Sequence, residues 1–384
     1  MTPDLSNQAE NLASQSIFID RQNRLSSILK QASLNTLVLN PGPSLVYLTG
    51  LHFHLMERPI IAYFSPDQPM TLVLPELEAA KTANIPFPAR VFLYSEDPST
   101  WPSVFFKAAQ AAEIKGFLGV EPTRLRYLEL SLIENSAPQA KIISAEAGLA
   151  EMRMQKDPNE LTLMRQAVDI AQRALINMLP VIRDGITERE VAAELTLQLL
   201  RAGADSEAPF SPIVSSGPNS ANPHATPSGR QLKPGDLLVI DWGAYCKGYC
   251  SDLTRTFAIG DVESELRKIA EIVKDANQAG RDASAPGVPA GAVDDAARAV
   301  IESAGYGAYF THRTGHGLGM EGHEAPYMRA GNQLILKPGM TFTVEPGIYL
   351  PDRNGVRIED NVVITETGSQ TLSTLPRQLI TINV

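Results

Sequence analysis

Three carboxylate side chains occupy positions where a β-strand would ordinarily place an apolar residue. Asp241 follows four apolar residues in LLVIDWG, Glu345 ends the segment FTVE, and Glu359 lies inside VRIEDNVVIT. Burial strips an ionised carboxylate of its hydration, so each of these groups needs a counter-charge or a bound cation. A salt bridge at a strand end would explain any one of them alone. Three of them in neighbouring strand-like segments favour a metal site.

A fourth carboxylate, Asp252, is separated from Asp241 by an odd number of positions, with Cys246-Lys247-Gly248 near the midpoint. In a hairpin closed by a two-residue turn, directly opposed residues have an odd separation and share one face. We therefore predict that the two carboxylates face each other, about 4.5–5.5 Å apart, and bind one pair of metal ions. Without a cation, two carboxylates this close would raise each other's pKa.

Glu345 and Glu359 present a different pattern, because an even number of positions separates them. A two-residue turn on Asn354-Gly355 would not place them opposite each other. We expect a bulge or bend at Pro346-Gly347 and Pro351 to correct the register.

His316 lies in the segment RTGHGLGMEGHEAP, which also carries His323. Glycines at 315, 317, 319 and 322 remove side chains around the two imidazoles, as a close backbone approach to a site requires. A glycine-rich loop that only happens to contain histidines is the alternative. The nearby carboxylates make a metal site the stronger interpretation.

The elements that must position these residues differ between the two parts of the chain. The N-terminal part alternates β-rich runs with amphipathic segments, which is typical of an α/β layer domain. The predicted strands are residues 36–40, 59–64, 71–75, 89–94, 116–121 and 140–145. The predicted helices are residues 22–33, 76–83, 100–113 and 122–134.

A boundary between the two parts is predicted at residues 157–160, Asp-Pro-Asn-Glu. Aspartate is a favourable N-cap, proline suits the first helical position, and the glutamate completes a capping box. A long helix should run from there to about Arg183, with Gly185 ending it. A second capping box at residues 187–190 should begin the next helix.

The C-terminal part is dominated by strand-like runs, predicted at residues 236–242, 249–258, 340–345 and 356–364. Helices fit residues 262–283 and 291–304 between them. Strands at both ends with helices between them predict an α+β domain around a curved antiparallel sheet, and this sheet would hold the carboxylates.

The composition narrows the class of protein. The 384 residues are 43% hydrophobic and 20% charged, which is ordinary for a globular protein, and the net charge of −10 argues against nucleic acid or an anionic membrane as the main partner. Because the N-terminal segment lacks the regions of a signal peptide and no apolar run is long enough to span a membrane, we expect a cytoplasmic protein. Cys246 and Cys250 are too few for a disulfide scaffold, and no GxSxG motif supports a serine nucleophile.

Six short motifs occur in a fixed order along the C-terminal part: DWG (241–243), SDLTRTF (251–257), HRTGHGLG (312–319), HEAP (323–326), VEPG (344–347) and VRIED (356–360). In order, residue type and spacing they resemble the signature of the M24 (pita-bread) metallopeptidase family. The match is to its proline-specific branch, the Xaa-Pro dipeptidases (prolidases) and Xaa-Pro aminopeptidases. The resemblance implies a creatinase/prolidase-like α/β domain at 1–155 and a pita-bread catalytic domain at 156–384.

The resemblance also implies the roles of individual residues. Two divalent ions would bind the side chains of Asp241, Asp252, His316, Glu345 and Glu359. Such an oxygen-rich set suits Mn²⁺ or Co²⁺ best, with Zn²⁺ or Fe as alternatives. Glu345 would transfer the catalytic proton, while His224 and His323 would bind the substrate and stabilise the tetrahedral oxygen. A small peptide substrate and a homodimer follow from the same resemblance.

One position departs from the pattern. Several prolidases follow HExP directly with an arginine that holds the carboxylate of the dipeptide, whereas Tyr327 follows Pro326 here and Arg329 lies two positions further on. We predict that Tyr327, Arg329 and Arg357 contact the substrate. Dipeptides and longer peptides both remain open as substrates.

Three functions are compatible with the sequence. The first is a peptidase that hydrolyses the bond before proline through a hydroxide bridging two metal ions. The second is a related non-peptidase C–N hydrolase, similar to creatinase or ectoine hydrolase. The third is a metal-free binding protein on the same fold, which the intact set of ligands disfavours.

Overall fold

The computed structural model describes residues 5–83 and 85–383. Residues 1–4, part of the segment expected to lack a signal peptide, lie outside the described residues. The chain divides into two compact units, one ending at Met152 and the other comprising Arg153–Val384. Among the described helices, none is long and apolar enough to cross a membrane.

The first unit is built on one six-stranded sheet. Its strands are β1 (Thr36–Leu39), β2 (Ile61–Phe64), β3 (Met70–Pro75), β4 (Ala89–Tyr94), β5 (Phe117–Val120) and β6 (Lys141–Ser144), in the spatial order β4-β3-β2-β1-β5-β6. Strand β2 pairs antiparallel with β1 and β3, and the remaining pairs are parallel. All six strands predicted from the sequence are confirmed, each a short apolar run bounded by turn residues.

The helices of the N-terminal part are α1 (Leu5–Gln31), α2 (Pro43–Thr49), α3 (Trp101–Ala111), α4 (Tyr127–Ser136) and α5 (Glu146–Met154). Helices α1, α3 and α4 overlap predicted ones, but the helix predicted at 76–83 is a 3-10 helix, Glu76–Thr82. Helices α2 and α5 were not predicted, because seven and nine residues are too few to show clear helical periodicity. The ends of α2 have a local explanation. It begins with Pro43 in its first turn and ends at Gly50, whose φ of 70° suits only glycine well.

The second unit contains two helix pairs. Its α-helices are α6 (Pro158–Met178), α7 (Glu188–Arg201), α8 (Ser264–Asp282) and α9 (Ala290–Ser303). Short 3-10 helices occupy Leu179–Val181, Gly217–Ala221 and Gly307–Tyr309. The first unit has a further short 3-10 helix at Pro98–Thr100. The capping boxes predicted at Asp157 and Thr187 are both confirmed. Helix α6 ends before the predicted Arg183, because Pro180 has no N–H to continue the α-helical pattern.

The strands of the second unit form two main sheets. They are β7 (Ile213–Ser216), β8 (Leu237–Trp242), β9 (Tyr245–Cys246), β10 (Tyr249–Cys250), β11 (Leu253–Ile259), β12 (Gly315–Gly317), β13 (Glu324–Met328), β14 (Thr341–Val344), β15 (Gly347–Leu350), β16 (Asn354–Arg357), β17 (Asp360–Ile364), β18 (Ser369–Thr371) and β19 (Ile380–Ile382). The sheets have the orders β19-β11-β8-β7 and β13-β12-β14-β17-β18, while β9–β10 and β15–β16 are separate hairpins.

The predicted α+β class is confirmed, with two refinements. The antiparallel strands are divided between two sheets, which a single bridge between Thr254 and Glu359 connects, and β19 joins β11 in parallel. The strands predicted at 249–258 and 356–364 are each interrupted, the first at Ser251 and Asp252 and the second at Ile358 and Glu359. Both interruptions place a carboxylate where the regular backbone pairing stops.

The two faces of β8 serve different purposes. Leu238, Ile240 and Trp242 are fully buried in the same apolar cluster as α6 and α7. Because side chains alternate along a strand, Asp241 points to the opposite face. Thr254 of β11 pairs directly with Asp241, so the even-numbered residues at this end of β11 share that face. The helix-covered face stabilises the sheet, and the other face carries the polar residues.

Candidate metal centre

The five side chains predicted as metal ligands converge in the second unit. Ligand atoms of Asp241, Asp252 and Glu359 lie within 4.8 Å of one another. The same is true of His316, Glu345 and Glu359, so Glu359 belongs to both groups. These residues come from β8, β12 and the segments that precede β11, follow β14 and precede β17. The site therefore depends on the correct pairing of both main sheets.

The register of the first hairpin differs from the prediction. Asp241 lies opposite Thr254, not opposite Asp252, which occupies the adjacent diagonal position on the same face. The turn falls on Lys247 and Gly248, whose φ angles of 49° and 80° are those of a type I′ turn. The predicted shared face is confirmed, but direct opposition is wrong, because a turn centred on these two residues shifts the partners.

In the second hairpin, β15–β16, the length of the turn sets the register and the predicted bulge is not needed. Strands β15 and β16 pair from Gly347 with Arg357 to Leu350 with Asn354, which leaves a three-residue turn. An odd turn length makes opposed residues an even number of positions apart. Strands β14 and β17 continue in the same register. Glu345 and Glu359 therefore occupy the positions at which these two strand segments face each other. The expected register of the two carboxylates is confirmed, but a three-residue turn that begins at Pro351, and not a bulge, produces it.

The ring of His316 is oriented by the backbone. Its Nδ1 lies 3.1 Å from the carbonyl oxygen of Gly317, and because a carbonyl only accepts, Nδ1 carries the proton. A neutral ring then presents the lone pair of Nε2 to Glu345 Oε1 at 3.2 Å and Asp252 Oδ2 at 3.7 Å. Three electron-rich atoms at these distances require a cation among them, either a metal ion or an additional proton.

The glycines around His316 have distinct spatial reasons. A β-carbon at Gly315 would lie 1.9 Å from the carbonyl oxygen of Thr343, and one at Gly317 would lie 2.2 Å from a carbonyl oxygen of β13. At Gly319 it would lie 2.7 Å from a side-chain carbon. Gly322 does not fit the prediction, because the nearest atom would be 3.8 Å away, an ordinary contact distance.

The electrostatics of the carboxylates favour bound cations. Burial, followed by the charges of Glu359 and Asp241, raises the pKa of Asp252 well above its usual value. Burial and the charge of Glu345 do the same to the pKa of Glu359. Asp241 Oδ1 and Glu359 Oε1 are buried without a hydrogen-bond partner among the described residues. A buried oxygen without a partner is costly, so the residues present fit a pair of divalent cations.

The guanidinium of Arg357, which was predicted to contact substrate, forms most of its hydrogen bonds with other side chains of the protein. Its Nη2 donates to Asp241 Oδ2 at 2.6 Å, its Nη1 to the hydroxyl of Tyr349 at 2.9 Å, and its Nε to Thr254 Oγ1 at 3.1 Å. The Tyr349 hydroxyl lies 2.8 Å from His312 Nε2. Arg357 also lines the site cavity, so a contact with substrate stays a prediction.

All five predicted metal ligands and both predicted substrate histidines, His224 and His323, line one cavity of about 520 Å³. The ring centroids of His323 and His316 lie 3.7 Å apart. Because an arginine only donates, the 3.2 Å contact from Arg313 Nη2 makes His323 Nδ1 an acceptor and leaves the proton on Nε2. Partial burial and the neighbouring His316 ring lower the pKa of His323 to about 4. His323 is therefore a neutral donor at physiological pH.

Two of the residues predicted to contact substrate lie outside the lining of this cavity. Tyr327 and Arg329 are absent from the described residues that line the cavity. Tyr327 lies under the guanidinium of Arg313, whose Cζ is 4.5 Å from the ring centroid, and Arg329 Nη1 lies 3.2 Å from the carbonyl oxygen of Ala330. Sequence spacing from His323 did not give their direction, because a register shift in the pairing of β12 with β13 separates Glu324 from Tyr327. Arg329 lies beyond the end of β13.

Other residues line the cavity that the sequence did not single out for a role. They are Phe210, Ser211, Ile213, Pro223, His312 and Arg313. His312 and Arg313 belong to the HRTGHGLG motif, and this membership was the available signal. The segment that contributes Phe210, Ser211 and Ile213 has no chemical motif, and only the folded chain brings it to the site.

Comparisons with known proteins agree with this geometry. Residues 162–366 match the Metallopeptidase family M24, and residues 21–155 match the Creatinase/Prolidase N-terminal domain. The putative dipeptidase YkvY of Bacillus subtilis is 36% identical over 363 residues, which cover 94% of this chain and 99% of that protein. The Xaa-Pro dipeptidase of Pyrococcus horikoshii is 33% identical over 369 residues, covering 95% of this chain and 99% of that one.

The structural comparison gives the same result. The crystal structure of recombinant prolidase from Thermococcus sibiricus matches with a TM-score of 0.90 at 33% identity, covering 95% of this chain and 99% of that one. The resemblance noted in the sequence is confirmed across both units, and the protein belongs to metallopeptidase family M24.

Proposed function

We propose that this protein is a dinuclear-metal dipeptidase that hydrolyses the peptide bond before proline in Xaa-Pro dipeptides. One observation carries the proposal: a single cavity joins four buried or nearly buried carboxylates, one oriented imidazole and two further histidines. Relatives named Xaa-Pro dipeptidase, similar over most of the chain, support the choice of substrate.

The proposed metal ligands form an oxygen-rich set. Asp241, Asp252, His316, Glu345 and Glu359 would hold two divalent ions, with Mn²⁺ or Co²⁺ favoured by four carboxylates and one imidazole. When bound, the ions supply a water nucleophile that is deprotonated near neutral pH and an electrophile for the scissile carbonyl.

The remaining chemistry is assigned to side chains of this chain. Glu345 accepts the proton of the attacking water and returns it to the leaving proline nitrogen. His323 donates from Nε2 to the developing oxyanion, a contribution worth roughly 3–4 kcal/mol for a well-placed donor. His224, on the same cavity, orients the substrate.

The form of the cavity supports a dipeptide ending in proline. Proline contributes no N–H to the scissile bond, so the site needs no acceptor there and apolar walls suffice. Phe210, Ile213 and Pro223 provide such walls. Arg313 offers a cation to the free carboxylate of the dipeptide, since in the part of the chain that the structure describes no carboxylate forms an ion pair with it. A homodimer stays a prediction from the family resemblance, and a cytoplasmic location stays a prediction from the sequence.

The test compares kcat/KM for Ala-Pro and Ala-Ala with fully metallated enzyme. We expect Ala-Pro to be preferred by at least about tenfold, or ~1.4 kcal/mol of transition-state binding. Equal kcat/KM values for the two peptides would contradict the proposed specificity for proline. If neither peptide were cleaved, a non-peptidase C–N hydrolase similar to creatinase or ectoine hydrolase would become the better assignment.

A further inference from the structure

Glu188, the first residue of α7, is a buried carboxylate that the proposed reaction does not use. Its side chain is fully buried, and both oxygens accept hydrogen bonds. Oε1 accepts from the backbone N–H of Ser216 at 2.7 Å and from its hydroxyl at 2.8 Å. Oε2 accepts from the backbone N–H of Ser228 at 3.0 Å and from its hydroxyl at 2.6 Å. Asn219 Nδ2 bonds to both oxygens, at 3.2 and 3.0 Å.

These partners are the two ends of one loop. Ser216 ends β7, Ser228 lies twelve positions further on, and His224 lies between them on the cavity. A single carboxylate therefore closes the base of the loop that presents His224. Neutral donors and the N-terminus of α7 stabilise its charge, since no ion pair to Glu188 exists among the described residues.

The far side of the loop is fixed to the metal centre. Arg357 Nη1 donates to the carbonyl oxygen of Pro223, the neighbour of His224, at 3.2 Å, while Arg357 Nη2 donates to Asp241. The N–H of Gly355 donates to Ser220 Oγ at 2.7 Å, and a β-carbon at Gly355 would lie 1.9 Å from the carbonyl oxygen of Ser220. The tip of the loop is thus held by the site. At its base, Glu188 joins the two ends, while Ser216 also pairs with Leu238 and accepts from Arg230 Nη1, and the carbonyl oxygen of Ser228 accepts from the N–H of Arg189.

We propose that Glu188 is a positioning residue that holds the His224 loop in its reactive geometry. The inference rests on the proposed role of His224 in substrate binding. A glutamine at this position is nearly isosteric but has one acceptor oxygen fewer, so its NH₂ must face the backbone N–H of Ser216 or of Ser228. Hydroxyl groups can rotate away from such a clash, but a backbone N–H cannot, and the base of the loop should open.

The test is a double-mutant cycle with metal-loaded enzyme and Ala-Pro as substrate. We expect Glu188→Gln to lower kcat/KM about tenfold in the wild type and by less than about twofold in the His224→Ala background. Metal content should stay at the wild-type value in both. Glu190→Gln, in the exposed capping box of the same helix, is the matched control and should leave kcat/KM unchanged.

Hydrogen exchange separates this inference from the proposed function, because it needs no substrate. Backbone amides of residues 217–227 should exchange at least about tenfold faster in Glu188→Gln than in wild type or Glu190→Gln. If Glu188→Gln does not fold, Ser228→Ala should show the same changes at smaller size. It removes one hydroxyl, which donates to Glu188 and accepts from Asn219 Nδ2 and from the N–H of Arg230. Unchanged exchange, or an equal loss of kcat/KM in the His224→Ala background, would overturn the proposal. Faster exchange in an enzyme that cleaves no Xaa-Pro peptide would support the role of Glu188 in holding the His224 loop and would reject only the proposed function.

Discussion

The metal centre and the substrate-side histidines are built in different ways. The proposed ligands are attached to paired strands, and their backbone neighbours are fixed by sheet ladders on both sides. His224 and His323 lie on connecting segments with exposed surface toward the cavity. Metal binding is therefore expected to depend on the register of the sheets, whereas the proposed substrate contacts of His224 and His323 would depend on how their two segments are anchored.

The two loops are themselves anchored by opposite means. Glu188 holds the His224 loop with neutral donors. Glu324, the neighbour of His323, is buried and pairs with Lys156 Nζ at 2.7 Å and with the guanidinium of Arg153 at 2.5 Å. The charges of Lys156 and Arg153 lower the pKa of Glu324, although burial alone would raise it. One loop therefore depends on hydrogen-bond geometry and the other on buried ion pairs.

The largest expected effect tests the division between a ligand and a substrate histidine. His316→Ala should remove metal and reduce kcat/KM by at least about a thousandfold, because it deletes a coordinating nitrogen. His323→Ala should retain the metal and reduce kcat by about a hundredfold, the cost of one oxyanion donor. Metal analysis and steady-state kinetics with Ala-Pro measure both. An equal loss of metal in the two variants would break the comparison between the centre and the loops.

A smaller effect is expected at the rim of the site. Arg313→Met should lower kcat/KM for Ala-Pro about tenfold more than for Ala-Pro-amide, because only the free dipeptide carries a carboxylate to bind. The ratio of the two substrates is the measurement, since it cancels any general effect on His323. Arg329→Met is the matched control, because Arg329 lies outside the cavity. A change of ratio in Arg329→Met, with none in Arg313→Met, would restore the role that the sequence suggested for Arg329.

The sequence identified the candidate metal ligands more reliably than the turns that set the register of the strands carrying them. Carboxylates within apolar runs are conspicuous, because hydropathy and charge are properties of single positions. The direct opposition expected for Asp241 and Asp252 was wrong, and the register of Glu345 and Glu359 was assigned to a bulge, because registers depend on turn geometry. Lys247 adopts a positive φ, which is uncommon for lysine, and a three-residue turn that begins at Pro351 sets the second register.

The residues that line the cavity show the other limit of sequence reasoning. Phe210 and Ile213 carry no chemical motif, and their place at the site follows from the packing of a segment distant in sequence. Arg329 was named because it follows the HEAP motif, and Arg313 was given no role. Proximity in sequence did not give the direction of the side chain, since a register shift interrupts the pairing of β13 and the strand ends before Arg329.

The metal content of active, undialysed enzyme is the decisive measurement for the proposed dinuclear site. We predict about two divalent transition-metal ions per chain, with Ala-Pro hydrolysis lost on chelation and restored by Mn²⁺ or Co²⁺. The four carboxylates and two partnerless buried oxygens described above are the physical reason. Full activity in enzyme that contains no stoichiometric divalent transition metal would contradict the central claim.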